Sequence, residues 1–143
     1  MDNRLQGRNA EKIADFFGIK PGQFEGLTYA DPSLWITNPH RWWHRLTFWW
    51  LLWRVSVKAH HVKGVVLTGH SGCGGCKIKR GNLDPATEKR LIIADLRRSA
   101  TKIKRHYPHL EVRIGFVTIH DDKPTLGAEE LPEITIEEIP LAA

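Results

Sequence analysis

Apolar and polar positions along the chain alternate in blocks that predict helices and strands in turn. Residues 8–18 carry apolar residues at helical spacing before a glycine, which is typical of an amphipathic helix with a glycine cap. The apolar runs over residues 62–69 and 112–119 each predict a buried strand. Residues 27–30 are a short strand candidate, and residues 134–139 predict a last edge strand or an extended tail.

A long helix is predicted to begin at Pro85, with Asp84 as its N-cap, and to end at Tyr107-Pro108. Six apolar residues supply its predicted buried side: Leu91, Ile92, Ala94, Leu96, Ala100 and Ile103. Because helices and strands alternate, we expect an α/β fold with a mostly parallel β-sheet flanked by helices. The length of 143 residues suits one domain over residues 1–143.

Five of the six tryptophans lie within residues 39–59, where the pattern predicts a helix that begins near Pro39. Its main apolar face comprises residues 42, 46, 49, 50, 53 and 57, although apolar side chains spread around much of the circumference. Two interpretations stay open: the helix packs under the sheet, or part of it meets a second subunit. Stacking of nucleic-acid bases on these rings is disfavoured, because the tryptophans follow the spacing of a buried face.

Charge and cysteine content narrow the classes of protein that the chain fits. The net charge of +5 permits nucleic acid or an anionic ligand as a partner without requiring either. Two cysteines three positions apart disfavour a secreted, disulfide-rich domain. The first residues lack the apolar core of a signal peptide, and the most apolar stretch, residues 48–53, is too short to span a bilayer. We therefore expect a cytoplasmic protein with no membrane partner.

The glycine-rich segment over residues 69–77 carries the candidate chemistry. His70 and Cys73 follow a predicted strand, at the carboxyl end where α/β sheets bind ligands. An imidazole and a thiolate at this spacing are two of the ligands that a zinc site with an open position needs. A phosphate-binding P-loop is excluded, because Gly75 and Cys76 stand where its lysine and Ser/Thr would be.

Two other interpretations of the same segment remain. Cys73 and Cys76 form a Cys-x-x-Cys pair at a strand-to-helix turn, where a thiol oxidoreductase keeps its reactive cysteine. A zinc ribbon would need a second ligand pair later in the chain, and no cysteine follows Cys76. The residues left to supply such a pair are His106, His109 and His120.

The strand followed by Thr-Gly-His-Ser-Gly-Cys-Gly-Gly at residues 68–75 resembles the second zinc motif of the β-class carbonic anhydrases. That family's first motif is Cys-x-Asp-x-Arg. Asp2-Asn3-Arg4-Leu5 matches its later part, with the cysteine falling one position before residue 1. The resemblance covers residues 1 to about 122, and it implies a β-carbonic-anhydrase-like domain whose first strand is missing.

This resemblance implies a zinc-dependent lyase that catalyses the reversible hydration of carbon dioxide to bicarbonate. His70 and Cys73 would bind Zn²⁺, Asp2 would orient the attacking water, and Arg4 would keep Asp2 ionised. Because the first cysteine is absent, we expect Asp2 or Cys76 to complete the ligand set and the activity to be impaired. The family pairs its subunits, which predicts a homodimer or a larger homo-oligomer.

Two departures from the family keep other functions in view. Residues 29–33 lack the family's usual Arg-Asn-Ala-Gly, which forms part of the active-site wall. One alternative is therefore a non-catalytic relative that kept the fold as a zinc-binding or metal-free interaction protein. The other is the thiol oxidoreductase that uses Cys73 and Cys76.

Overall fold

The structure, a computed structural model, describes residues 8–20, 36, 46–47, 49–120 and 132–141. Within these residues the helices are α1 (Arg8–Phe16), a π-helix (Leu51–Ala59), α2 (Gly74–Arg80) and α3 (Pro85–His106). The strands are β1 (Gly64–His70), β2 (Glu111–Ile119) and β3 (Ile134–Ile139). The predicted strand at residues 27–30 and the predicted helix start near Pro39 lie outside the described residues.

The three described strands form one sheet in the order β1-β2-β3. β1 runs parallel to β2, with Gly64 opposite Glu111 and His70 opposite Val117. β2 runs antiparallel to β3, and residues 134–139 form an edge strand rather than an extended tail. The described sheet is mixed: the β1–β2 pairing is parallel, as expected, and the β2–β3 pairing is antiparallel. Helices carry the chain from β1 back to the start of β2, which is what parallel pairing requires.

Helix α3 covers β1 and β2 and has the predicted bounds. The carboxylate of Asp84 accepts a hydrogen bond from the amide of Thr87 at 3.0 Å, which is the predicted N-cap. This bond lowers the pKa of Asp84. The apolar side of α3 packs on apolar residues of both strands. The buried residues of these three elements include Ile92, Leu96, Ala100, Ile103, Leu67, Val112, Ile114 and Phe116.

The buried side of α3 differs in part from the predicted one. Leu91 and Ala94 are half-buried, whereas three polar residues are buried: Glu88, Asp95 and Ser99. Apolar periodicity cannot identify a buried polar residue such as Glu88 or Asp95, which is buried together with its hydrogen-bond or ion-pair partners. The buried hydroxyl of Ser99 has no hydrogen-bond partner among the described residues. Two of these three, Glu88 and Asp95, contact the segment that follows β1.

The tryptophan-rich helix comprises the π-helix together with the helical residues 46–47 and 49–50 before it. Leu52 and Ser56 are its buried residues, and Trp49 packs against the core. Leu46, Trp50 and Trp53, which were predicted to share the main apolar face, are exposed. These exposed residues do not pack under the sheet, and the interpretation that part of this helix meets a second subunit stays a prediction.

The amino-terminal helix α1 ends as its sequence predicts. The amide of Ile19 donates to the carbonyl of Ala14 at 2.9 Å, and the amide of Gly18 donates to Asp15 at 2.9 Å. These two bonds form a Schellman motif, the usual glycine cap of a helix. Among the helices described, none has both the length and the apolar character needed to cross a membrane.

Candidate metal centre

The candidate metal centre lies where β1 turns into α2. His70 is the last residue of β1, and Cys73 is the N-cap residue of α2. Gly72, between them, has a φ of +64°, a left-handed conformation that favours glycine. The turn therefore brings a histidine and a cysteine to the carboxyl end of a parallel strand, which is the location that the sequence predicted.

Ser71 ties this turn to the neighbouring strand. Its amide donates to the carbonyl of Val117 at 3.0 Å, and its hydroxyl accepts from the amide of Ile119 at 2.8 Å. Both contacts continue the β1–β2 pairing past the end of β1. The backbone on either side of His70 is consequently fixed to β2.

The His70 ring is oriented by the backbone of the next residue. Its Nδ1 lies 2.9 Å from the carbonyl oxygen of Ser71. A carbonyl only accepts, so Nδ1 carries the proton, and the neutral ring then has its lone pair on Nε2. Metal-binding histidines commonly use this arrangement, in which one ring nitrogen donates to the protein and the other binds the ion.

Glu88 on α3 holds the other half of the turn. Its Oε2 accepts a hydrogen bond from the amide of Gly72 at 2.9 Å, and its Oε1 accepts one from the amide of Cys73 at 3.1 Å. The glutamate is only 8% exposed. Sequence reasoning missed this residue, because a glutamate four residues after an N-cap is ordinary in the first turn of a helix.

Cys73 and Cys76 are both buried, and neither forms a disulfide. Burial raises the pKa of Cys76, and the nearby Glu88 and Cys73 raise it further, while Arg80 acts in the opposite direction. A raised pKa favours the protonated thiol, which is a poorer metal ligand and a poorer nucleophile than the thiolate.

An ion pair fixes α2 to α3 behind the cysteines. Arg80 Nη2 donates to Asp95 Oδ2 at 2.6 Å, and the carboxylate is almost completely buried. Arg98 lies 3.7 Å from the other oxygen of Asp95 and is mostly exposed. The Arg80–Asp95 pair and the Glu88 hydrogen bonds together attach both ends of the segment over residues 72–80 to α3.

The other histidines considered for a metal site lie in different surroundings. The ring centroids of His106 and Trp49 lie 4.6 Å apart, and those of His109 and Tyr107 lie 6.3 Å apart. His120 Nε2 lies 2.6 Å from the hydroxyl of Thr135 on the edge strand. In the part of the chain that the structure describes, no three His, Cys, Asp or Glu side chains form a group that could hold a metal ion. A zinc ribbon is therefore not assembled from these residues.

The donors present nevertheless fit zinc in kind. Imidazole nitrogen and thiolate sulfur are the ligands that zinc prefers, and His70 has the backbone contact typical of a ligand. His70, Cys73 and Cys76 do not by themselves make a three-ligand group. Asp2 and Arg4 lie outside the described residues, so their part in the site stays a prediction.

Comparison of the chain with protein-family models, with curated proteins and with solved structures finds no match. The helices and the mixed three-stranded sheet define a general α/β class. Function must therefore be argued from the chemistry of residues 68–75 and from the contacts around them.

Proposed function

We propose that this chain is a zinc-dependent lyase of the β-carbonic-anhydrase type, which catalyses the reversible hydration of carbon dioxide to bicarbonate. The observation that carries the proposal is the placement of His70 at the end of β1 and of Cys73 at the N-cap of α2, on either side of one turn. The ring of His70 is oriented through Nδ1, and the amide of Cys73 is held by Glu88. Metal-binding histidines commonly donate from one ring nitrogen to a backbone carbonyl, as His70 does, and the Glu88 contact fixes the backbone of Cys73.

In this proposal His70 binds the ion through Nε2 and Cys73 binds it through Sγ. A bound zinc would act as a Lewis acid and lower the pKa of water to about 7. Asp2 would accept a hydrogen bond from the attacking water and so orient it, while Arg4 would keep Asp2 ionised. Asp2 and Cys76 are the two residues that we propose as candidates to complete the ligand set, and the variants described below decide between them.

We propose further that the active form is a homodimer or a larger homo-oligomer, joined through the tryptophan-rich helix. The support for this is the exposure of Leu46, Trp50 and Trp53 along one helix. Large apolar side chains grouped on a surface are typical of protein–protein contacts. A second copy of the chain is the partner that the family resemblance favours.

The proposal is tested by measuring zinc content and the rate of carbon dioxide hydration on the same purified sample. We expect one zinc per chain and measurable hydration in the wild type, and loss of both in H70A and C73S. The matched control is H120A, which removes an exposed histidine whose ring contacts Thr135 on the edge strand. That variant should keep its zinc and its activity.

The alternatives predict different results in the same samples. Stoichiometric zinc without hydration of carbon dioxide would contradict the proposed enzymatic activity and favour a non-catalytic zinc-binding protein. Absence of zinc, together with disulfide exchange that C73S abolishes, would favour the thiol oxidoreductase.

Two further variants decide which residue completes the site. If Asp2 is a ligand, D2N should weaken zinc binding while C76S leaves it unchanged. The reverse pattern would show that Cys76 is the third ligand. In both cases zinc affinity, measured by competition with a chromogenic chelator, is the quantity compared.

A further inference from the structure

We propose that Glu88 is a positioning residue of the metal centre, whose carboxylate holds the Gly72–Cys73 backbone in the conformation that presents Cys73 to the ion. This inference rests on the proposed zinc site and assigns a role to a residue outside its motifs. It explains why a charged side chain is buried at the point where α3 passes the turn.

Glu88 makes a bidentate contact with the backbone of the turn. Each oxygen of the carboxylate accepts from a different amide, and those amides belong to consecutive residues, Gly72 and Cys73. Two bonds to neighbouring amides fix the orientation of the peptide between them, which a single bond would leave free to rotate. The second of these amides belongs to the proposed ligand Cys73, so Glu88 restricts the position of the Cys73 backbone from which the side chain extends.

The chemistry of a carboxylate suits this contact better than that of an amide. Both oxygens of an ionised glutamate accept hydrogen bonds, whereas glutamine offers one oxygen and one NH₂ group. A glutamine at residue 88 would therefore keep one bond and set a donor against the other amide. An alanine would keep neither of these two hydrogen bonds.

The charge of Glu88 also favours a cation at this place. Its carboxylate lies next to the backbone of Cys73 and near the thiol of Cys76. A negative group close to the proposed ligands attracts a divalent cation. Orientation and charge therefore act in the same direction, toward binding of a metal ion.

The test compares zinc affinity in the wild type, E88Q, E88A and the control E133Q, by competition with a chromogenic chelator. We expect affinity to fall about 10–100-fold in E88A, which is the usual effect of removing a residue that orients a ligand. E88Q should show a smaller loss. E133Q, which removes an exposed carboxyl just before β3, should bind as the wild type does.

The cobalt-substituted proteins add a readout that a purely structural role would not change. Thiolate-to-cobalt absorption should shift or weaken in E88A and stay unchanged in E133Q. Equal affinity and equal spectra in folded E88A and wild type would overturn the inference while leaving the proposed function intact. Circular dichroism at the assay temperature establishes that each variant is folded.

Amide hydrogen exchange in the metal-free protein separates the inference from the proposed function. The amides of Gly72 and Cys73 should exchange slowly in the wild type and much faster in E88A. A wild-type protein that binds no zinc would contradict the proposed function. The exchange rates would then still show whether Glu88 holds the amides of Gly72 and Cys73. Equal exchange of both amides in the two proteins would show that Glu88 does not hold this turn.

Discussion

Gly69 and Ile92 lie so close together that a Cβ atom at residue 69 would overlap Cγ2 of Ile92. The same Cβ would lie 3.3 Å from Cδ1 of Leu96. β1 and α3 therefore approach each other at the residue immediately before His70. The position of the candidate ligand depends on this contact as well as on the turn that follows it.

The first prediction is that G69A destabilises the protein by about 1–3 kcal/mol, the usual cost of adding a methyl group to a filled core. The measurement is chemical denaturation followed by circular dichroism. G74A is the matched control, because a Cβ at residue 74 meets no atom within 4 Å. In an I92A background the cost of G69A should largely disappear, since the overlapping atom is gone. An undiminished cost there would contradict the steric explanation.

The second prediction concerns the ion pair that fixes α2 to α3. R80A should destabilise the protein by about 3 kcal/mol, because it leaves the buried carboxylate of Asp95 without its main partner. R98A, which removes the more exposed arginine of the same carboxylate, should cost less than about 0.5 kcal/mol. Chemical denaturation measures both. Equal losses in the two variants would show that the burial of the pair does not determine its contribution.

Local sequence signals predicted the elements around the site well. The N-cap at Asp84, the strand that ends at His70 and the glycine cap of α1 are each determined by neighbouring residues, so sequence alone suffices for them. The antiparallel pairing of β3 could not be predicted, because the direction of a strand depends on the path of the connection before it.

The contacts that hold the candidate site were harder to predict than its motif. Glu88 bonds to residues 15 and 16 positions earlier in the chain, and no local pattern indicates that such a pair will meet. The sequence also left open whether the tryptophan-rich helix packs under the sheet or meets a second subunit, because the spacing of apolar residues does not show which neighbour covers them. In the structure Trp50 and Trp53 are exposed.

The third prediction uses the ion pair between Arg113 on β2 and Glu138 on β3. Arg113 donates to both carboxylate oxygens of Glu138, at 2.8 and 2.7 Å, and these bonds lower the pKa of Glu138. A carboxyl with a lowered pKa stabilises the folded state fully above its unfolded pKa, near 4.5. That contribution is lost as the pH falls through the lower value of the folded protein.

We therefore expect E138Q to be less stable than the wild type at pH 6–7 and the difference to shrink below about pH 4.5. The free energy of unfolding of both proteins is measured by chemical denaturation between about pH 3 and 7, the range in which a carboxyl group titrates. E133Q serves as the control, since it removes a carboxyl outside this pair. Parallel curves for E138Q and the wild type across the whole range would contradict the prediction.

The fourth prediction is that the Cys76 thiol reacts slowly in the metal-free protein. Burial raises the pKa of Cys76 above its ordinary value of 9.0. When the pKa of a thiol is higher in the folded than in the unfolded state, the folded protein loses stability as the pH rises above the unfolded pKa, because only the unfolded state is then deprotonated. We expect alkylation of the thiol in C73S to be much slower in the folded than in the unfolded chain, and the stability of C73S to decline above pH 9.0.

The variant C73S/C76A provides the comparison for this effect. Without the titrating thiol, the decline in stability above pH 9.0 should become smaller. Arg80 lowers the pKa of Cys76, so R80Q in the C73S background should slow alkylation further. Faster alkylation in R80Q would contradict the proposed electrostatic effect and would indicate that loosening of α2 controls access to the thiol.

The last prediction concerns self-association through the tryptophan-rich helix. Leu46 is 52% exposed and Trp50 is 57% exposed, and they lie four residues apart in the helix. Two lysines at these positions would place charges in a contact between apolar surfaces, where burial without a partner is costly. We expect the L46K/W50K variant to be a monomer at concentrations where the wild type forms dimers. Analytical ultracentrifugation should give a dimer dissociation constant at least about tenfold larger for the variant, which corresponds to about 1.4 kcal/mol.

The control for this experiment is I78K, because Ile78 on α2 is 90% exposed and is apolar as well. If dimers form through the tryptophan-rich helix, I78K should associate as the wild type does, whereas a loss in both variants would indicate a general effect of added charge. Trp53 is left unchanged because its ring stacks on Tyr107 at 5.6 Å, so its replacement would disturb the core. A wild-type chain that sediments as a monomer at every concentration would contradict the proposed interface, and the exposed tryptophans would then need a different partner.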